Sequence, residues 1–354
     1  MKLPRITLLA TLLLTAPAAA QLQITPPAAT PSPAPEKQKT KPHTITKKKE
    51  AAPAPKPSSS PKPAPAPTVI PAPPTDNPNV DLVFGAYQRG QYRTAFELAI
   101  ARANTGDPKA MTMLGELYSN AMGIRRDYAK AAEWYKRAAD AGDREAMFAL
   151  AMLRISGRGG PVDKGEAVKL MASAAKLGEP KAAYNLALLY LDGQTLPQDV
   201  KRSAELLRQA ADAGLPEAQY ALATFYKEGT GVPKDAERAV RLLQAASLAD
   251  NVDAEVEYAI AMFNGTGTPK NQPAAVALLR KASRQGSAIA QNRLAWVLIN
   301  GVGTSMDKVE GFKWHLVAKT AGKGDPELDR QLSDLPAEDR AKAEAAARKW
   351  LGTK

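Results

Sequence analysis

Side chains that could do chemistry are few in this chain. Its 354 residues include two histidines and no cysteine, so it has no disulfide, no thiolate metal site and no cysteine nucleophile. His43 lies in a proline-rich stretch, and His315 takes a helical position that carries Tyr135, Met171 and Leu207 elsewhere in the chain. We expect His315 to be a packed structural residue. We therefore predict that the protein is not an enzyme and has no catalytic, cofactor-binding or metal-binding residues.

Two patterns resemble ligand sites, but each has a structural explanation. The recurring Gly-x-Gly loops have neither a preceding strand nor a following Gly-Lys-Ser or Gly-Lys-Thr, so they do not predict phosphate binding. Asp325, Glu327 and Asp329 alternate as calcium ligands do, but Pro326 and the missing loop glycine contradict that interpretation. The spacing instead predicts a helix that Asp325 caps, with Pro326 in its first position.

Any binding surface must be built on the elements of an internal repeat. A five-residue motif that begins as Gly-Asp-Pro-Lys-Ala recurs every 36 residues without a gap. Such regular spacing is the signature of a repeat architecture, in which each unit is one supersecondary structure. The repeats start at Gly106, Gly142, Gly178, Gly214, Asp250, Gly286 and Gly322.

Each repeat predicts two amphipathic helices joined by a glycine turn. Helix A carries Ala110 and Leu114 on one face, and helix B carries Ala131 and Tyr135. Small residues equivalent to Gly115 let the two helices approach closely, and the turn glycines end helix A. A hairpin with two apolar faces buries both only by stacking on its neighbours, so the sequence predicts an all-α solenoid. Aspartates are placed to cap helix B at Asp127, Asp163, Asp199, Asp235 and Asp307.

The repeat resembles the Sel1-like repeats, relatives of the tetratricopeptide repeat. Residues 110–143 carry the pattern Ala-x-x-x-Leu-Gly-x-Leu-Tyr, a glycine-rich turn, an aspartate and Ala-Ala-x-Trp-Tyr-x-x-Ala-Ala-x-x-Gly-Asp almost whole. Residues 190–214 and 226–246 match it nearly as well. Residues 86–95 are similar to the opening hairpin of bacterial members, and residues 335–350 to their terminal capping helix. The resemblance implies an α-solenoid with an N-terminal half-repeat and a C-terminal cap.

Two positions depart from the family pattern, and the resemblance also sets the expected boundaries. Asp250 replaces the repeat glycine, and His315 stands where a bulky apolar residue is usual. We expect an opening hairpin at 80–106, six repeats at 107–322 and capping helices at 323–354.

The first 20 residues predict export. Lys2 and Arg5 flank the start of an apolar run at 6–14, and small residues at 18–20 supply a signal-peptidase site. We expect cleavage before Gln21 and a periplasmic protein without a later membrane span. The alternative is a signal segment that stays uncleaved as an anchor.

Residues 21–79 predict a disordered tether. They contain 17 of the 29 prolines and almost no large apolar side chains, a composition that favours extended polyproline II over a packed core. The net charge of +12 divides into +2 in residues 1–20, +5 in the tether and +5 in the rest, which is not the footprint of a nucleic-acid-binding domain. Six tether lysines could contact an anionic envelope surface or only keep the spacer soluble: Lys37, Lys39, Lys41, Lys47, Lys48 and Lys49.

The resemblance implies that the protein binds other proteins. If helix A lines the concave side of the solenoid, the positions of Thr112, Glu116 and Ser119 form its lining and become mostly apolar in later repeats. A groove of this kind suits an amphipathic helix or an extended peptide. The alternative is that these side chains pack between adjacent A helices. The predicted partner-binding residues are Tyr184, Leu188, Leu191, Tyr220, Ile260, Phe263, Trp296 and Ile299, with Tyr184, Leu191, Phe263, Trp296 and Ile299 expected to be the most exposed.

These observations favour an exported interaction scaffold, adaptor or regulator of the cell envelope with an unidentified protein partner. The alternative is an envelope structural protein that contacts peptidoglycan or the outer membrane through its tether. A wall-active or β-lactam-active enzyme is the third possibility, because one cysteine-rich branch of the resembled family is linked to β-lactams. That branch has paired cysteines, and this chain has none.

Overall fold

The computed structural model describes residues 81–352, which form sixteen α-helices and no β-strand. The predicted signal peptide, its cleavage before Gln21 and the predicted tether lie outside the described residues. In chain order the helices are α1 Leu82–Gln88, α2 Tyr92–Asn104, α3 Pro108–Asn120, α4 Tyr128–Asp140, α5 Arg144–Ser156, α6 Lys164–Lys176, α7 Pro180–Asp192, α8 Val200–Asp212, α9 Pro216–Glu228, α10 Ala236–Leu248, α11 Val252–Asn264, α12 Gln272–Arg284, α13 Ala288–Asn300, α14 Lys308–Thr320, α15 Pro326–Ser333 and α16 Ala337–Gly352.

The twelve helices from α3 to α14 are six identical hairpins in outline. Each helix has 13 residues, and each packs mainly on the helix before and the helix after it. Odd-numbered helices are the predicted A helices and even-numbered helices the B helices. The hairpin α1–α2 precedes them and α15–α16 follow. The all-α solenoid of period 36 is therefore confirmed.

Helix ends follow the sequence signals closely. The five aspartates predicted to cap helix B all accept a backbone N–H, as Asp127 does from Lys130 at 3.0 Å, and Asn271 caps the remaining B helix. Five of the six A helices end at a glycine in the left-handed conformation, as Gly265 does with φ 76°. The first A helix ends instead at Ala121 with φ 57°.

Close approach of the two helices in a hairpin depends on small residues, as expected. A Cβ added at Gly115 would lie 2.5 Å from the ring of Tyr135 in the facing B helix. Successive hairpins also meet at their turns, because a Cβ at Gly267 would lie 2.3 Å from the carbonyl oxygen of Ala236 at the start of the preceding B helix. Backbone therefore touches backbone between repeats, which fixes their spacing.

Asp250 keeps the backbone shape of the glycine that it replaces. Its φ is 60°, a conformation that Asp tolerates better than most residues. Its carboxylate lies 2.7 Å from Nζ of Lys281, which also lies 2.5 Å from the fully buried carboxylate of Glu255. The substitution therefore preserves the turn and adds an ion pair between repeats.

The C-terminal helices close the last hairpin. Asp325 accepts hydrogen bonds from the N–H groups of Glu327 and Leu328 and so caps α15 as predicted. The rings of Trp314 and Trp350 meet edge to face with centroids 5.0 Å apart. The capping helix α16 begins two residues later than the expected start, and Leu335 is a buried residue of the turn before it.

Candidate partner-binding surface

The structure buries three of the five residues that were expected to be most exposed. Tyr184 is 9% exposed, Leu191 2% and Ile299 4%, so the expectation of exposure was wrong for them. The stated alternative, packing between adjacent A helices, is also not what Ile299 does. Its Cγ1 would lie 2.6 Å from a Cβ at Gly311, so it packs tightly against helix B of its own hairpin.

The other predicted residues reach the surface to different degrees. Trp296 is 44% exposed, as expected. Phe263 is half-buried rather than open, because it occupies the same repeat position as Leu191 and Ile299 and packs against the C-terminal core. Leu188, Tyr220 and Ile260 are also half-buried. Leu188, Ile260 and Trp296 share one repeat position, which is exposed at Trp296 but buried at Thr224.

The exposed line of side chains on the A helices differs from the predicted stripe. On α13 it consists of Ile289, Arg293 and Trp296, spaced i, i+4 and i+7 and all exposed, so they lie on one side of the helix. Ile289 is 48% exposed and was not predicted. One signal could have revealed this line, because the repeat position of Ile289 carries a charged residue in the other five repeats: Lys109, Glu145, Lys181, Glu217 and Asp253.

We call the side chains at the repeat positions of Ile289, Arg293 and Trp296 the A face. Neighbouring A helices are adjacent along the solenoid, since Nζ of Lys227 on α9 lies 3.0 Å from Oε2 of Glu257 on α11. The face is interrupted on α9, because Ala221 and Thr224 at the repeat positions of Arg293 and Trp296 are buried.

The N-terminal end of the A face is occupied by internal contacts. The hydroxyl of Tyr87 in the opening hairpin donates a 2.6 Å hydrogen bond to Glu116. Nζ of Lys109 lies 2.9 Å from Asp143 and 3.3 Å from Glu145, and these carboxylates raise the pKa of Lys109 against the opposing effect of burial. Charges at this end therefore hold hairpins together.

Carboxylates dominate the middle of the A face. Glu217, Asp253 and Glu257 form an acidic patch across α9 and α11. Partial burial and the neighbouring Glu257 raise the pKa of Asp253 above its ordinary value. Burial and then Glu217 raise the pKa of Tyr184 to about 12, and burial with Glu257 and Asp253 raises the pKa of Tyr220 strongly. Both tyrosines are thus influenced by acids of this patch, Tyr184 by Glu217 and Tyr220 by Glu257 and Asp253.

The last repeats present apolar groups instead. Ile289 and Trp296 stand out from α13, and the half-buried Ile260 takes the position of Trp296 on α11. We call these three residues the apolar end of the A face. Aromatic and aliphatic anchors beside a polar surface are typical of sites that bind another protein.

His315, the remaining candidate for chemistry, is a structural residue as predicted. Its side chain is fully buried, and Nε2 lies 2.8 Å from Oδ1 of Asp329. Lys319 and then His315 lower the pKa of Asp329. Among residues 81–352 no group of three or more acidic or histidine side chains is placed to hold a metal ion. Within the same range, no helix is both long and apolar enough to cross a membrane.

The fold and this surface define a class of protein, the α-solenoids of repeated helical hairpins. The Sel1 repeat family matches the chain over six consecutive units, 108–143, 144–179, 180–215, 216–251, 252–287 and 288–323. The chain therefore belongs to the Sel1 repeat family, as the resemblance indicated.

Solved structures agree with this assignment. The chain is similar to a Sel1 repeat protein from Oxalobacter formigenes, with 27% identity and a TM-score of 0.61 over 68% of this chain and 98% of that one. It also has the fold of c5321, a protective antigen of uropathogenic Escherichia coli strains with an SLR fold, at 23% identity and a TM-score of 0.52. That match covers 76% of this chain and 67% of the other. A comparison with curated proteins finds no match.

Proposed function

We propose that the protein is an exported scaffold or adaptor of the bacterial cell envelope that binds another protein on its A face. Sel1 repeat solenoids are commonly interaction scaffolds. The observation that carries the proposal is the pair Ile289 and Trp296, two large apolar side chains about half exposed on one line of one helix. Each leaves nearly half of its surface open to solvent among the described residues. Such anchors favour a partner helix or an extended peptide.

The A face offers such a partner two kinds of contact. Apolar side chains of the partner would pack on the apolar end, which comprises Ile260, Ile289 and Trp296. Its cations would meet the acidic patch on the preceding helices, where charge complementarity fixes orientation and speeds association. Binding along several repeats is the mode for which solenoids provide an extended surface.

Export is proposed on the N-terminal sequence alone. The charged start, the apolar run at 6–14 and the small residues at 18–20 support a signal peptide cleaved before Gln21. Cell fractionation followed by N-terminal sequencing tests this directly. A mature protein that begins at Gln21 in the periplasmic fraction is the expected result, and a protein retained whole in the membrane fraction would support the anchor alternative.

Photo-crosslinking in living cells tests the binding surface. A photoreactive residue is placed at Ile289 or at Trp296, and a matched control at Leu248, which is 81% exposed at the end of a B helix. A further probe at Thr44 reports on the tether. A discrete protein adduct from Ile289 and Trp296, absent from Leu248, is expected and names the partner by mass spectrometry. Adducts from Thr44 alone, or material that sediments with the cell wall, would instead favour the structural role.

A further inference from the structure

The turns between helices A and B carry arginine only in the first two repeats. Arg125 and Arg126 lie in the turn before α4, and Arg158 lies in the turn before α6. The corresponding turns of the other four repeats contain no arginine, and four of the other five repeats have proline at the position of Arg125. The repeat fold is therefore built elsewhere without these residues. We call Arg125, Arg126 and Arg158 the arginine cluster.

Two residues of the arginine cluster converge on one tyrosine ring. Cζ of Arg126 lies 5.9 Å and Cζ of Arg158 lies 5.3 Å from the centre of the Tyr128 ring. The second turn comes this close because a glycine touches the start of α4: a Cβ at Gly159 would overlap the carbonyl oxygen of Tyr128. The ring attracts each cation, but two positive charges beside one ring repel each other. Negative charge at this place would offset that repulsion.

The first turn supplies cations without acidic partners. Within residues 81–352, Arg125 and Arg126 form no ion pair. Nε of Arg126 is buried and donates no hydrogen bond to the described residues, which is unfavourable for a charged group. The acids in these two turns already have a structural role, because Asp127 and Asp163 accept the N–H groups that cap α4 and α6. The arginine cluster therefore lacks negative charge that a bound group could supply.

The dimensions and surroundings of the arginine cluster favour a peptide as the source of that charge. Guanidinium groups bind carboxylates through paired hydrogen bonds. Successive hairpins are spaced by roughly 10 Å, which matches acids about three residues apart in an extended peptide that advances roughly 3.3 Å per residue. Val162, in the same turn as Arg158, is 57% exposed and offers an apolar contact to a neighbouring side chain of such a peptide.

We propose that the arginine cluster binds an acidic segment of a second protein. Carboxylates of that segment pair with Arg126 and Arg158, and an apolar side chain packs on Val162. This site lies on the turns of the first two repeats, whereas the apolar end of the A face lies on α11 and α13. The solenoid therefore has a second contact surface at its other end, and this surface does not depend on the A face.

Photo-crosslinking of a defined probe to the full-length chain tests the position of the site. The probe is a biotin-labelled peptide of alternating glutamate and alanine. A photoreactive residue replaces Val162 in one protein and Met306 in the control, because Met306 has the same repeat position and is 60% exposed. The adduct from Val162 should exceed that from Met306 at least about tenfold, since only the first position has arginines beside it. A peptide with glutamine in place of glutamate should give no adduct.

Fluorescence anisotropy with the same peptide tests the arginines themselves. The double variant R126Q/R158Q should bind at least about tenfold more weakly than the wild type, because it loses two charge-assisted contacts. The matched control K234Q/K270Q removes two exposed cations from the repeat position of Arg126, and it should bind within about twofold of the wild type.

A further variant keeps the test valid if the double variant does not fold. Arg125 is exposed and makes no contact with Tyr128 that holds the turn. R125Q should therefore leave the circular dichroism spectrum unchanged and weaken peptide binding about threefold, since it removes one exposed charge from the cluster. An unchanged affinity in folded R125Q would contradict the proposal.

Three further results would overturn the proposal. One is equal affinity in R126Q/R158Q and K234Q/K270Q, and another is equal adducts from Val162 and Met306, because the peptide then binds elsewhere. The third uses vesicles of phosphatidylglycerol and phosphatidylethanolamine: if the vesicles bind through the arginines and the peptide does not, the cluster recognises a membrane surface. None of these results affects crosslinking from Ile289 and Trp296, so failure here is distinct from failure of the proposed function.

Discussion

The first two repeats and the last three use the same A-face positions in opposite ways. Near the N-terminus, Glu116 accepts a hydrogen bond from Tyr87, and Lys109 bridges Asp143 and Glu145. Toward the C-terminus, two acids of the patch form no ion pair among the described residues, and Trp296 stands 44% exposed at the position of Glu116. Both regions have the same helix lengths and period. The fold therefore does not dictate the residue types at these positions. The N-terminal repeats use them for internal contacts, and the C-terminal repeats expose them.

Exchanging the residue types of Glu116 and Trp296, which share one repeat position, should have the largest effect, and that effect is on partner binding. Trp296→Glu is expected to reduce crosslinking from the Ile289 probe about 30-fold or more, because a central aromatic anchor contributes roughly 2–4 kcal/mol to binding. Glu116→Trp at the equivalent position should leave that crosslinking unchanged. Equal yields from Trp296→Glu and the wild type would remove the apolar end from the binding surface.

The next largest effect is on the free energy of unfolding, and it should differ between an acid with hydrogen-bond partners and an acid without them. Asp143 is buried, caps α5 through Ala146, and accepts a 3.1 Å hydrogen bond from Thr112. Asp143→Ala should lower the free energy of unfolding by about 2 kcal/mol, since it removes a cap and leaves the buried N–H of Ala146 without its acceptor.

Glu217→Ala is the matched substitution in the C-terminal region. It should change the free energy of unfolding by no more than about 0.5 kcal/mol, because no hydrogen bond or ion pair is lost. Urea unfolding of both variants provides the comparison. A loss at Glu217 as large as that at Asp143 would show that the acidic patch stabilises the fold.

A smaller difference lies in how helix A ends. The first A helix ends at Ala121 with φ 57°, where an alanine side chain is strained, and α11 ends at Gly265 with φ 76°. Ala121→Gly should raise the free energy of unfolding by about 1 kcal/mol, and Gly265→Ala should lower it by a similar amount or more. Thermal unfolding of the two variants measures the pair. Changes of the same sign would contradict the assignment of both residues to left-handed caps.

The smallest expected effects come from two carboxylates whose pKa values shift in opposite directions. The pKa of Asp253 is raised by partial burial and by Glu257, and the pKa of Asp329 is lowered by Lys319 and His315. Asp253 should therefore reduce stability as pH rises from its unfolded-state pKa through its higher folded-state value. Asp329 should add stability above its unfolded-state pKa and lose it as pH falls through its lower folded-state value.

Titration of the side-chain carboxyl carbons by nuclear magnetic resonance measures both pKa values. Near neutral pH, Asp253→Asn should keep or slightly raise stability and Asp329→Asn should lower it. Both changes should be smaller than those above, because solvent screens these carboxylates. A pKa of Asp253 below its ordinary value would show that a cation already lies beside it.

Local features were predictable because each depends on a few neighbouring residues. The caps at Asp127 and Asp325 follow from a short polar side chain ahead of a helical pattern, and the close approach at Gly115 follows from its missing side chain. The burial of His315 followed from the large residues at its repeat position. Tyr184 was misjudged, because its burial depends on a core to which several hairpins contribute.

The sequence alone determined the period, the helices, their ends and the family, since the same pattern occurs in six consecutive repeats. Only the tertiary structure decided which side of helix A faces outward. Successive residues turn by about 100° around a helix, so a shift of one position carries a side chain from solvent into a contact. Leu191 and Ile299 were expected to be exposed and are buried, whereas Ile289 was not predicted and is exposed. The covered side is set by how closely neighbouring hairpins stack, and that stacking is a property of the assembled solenoid.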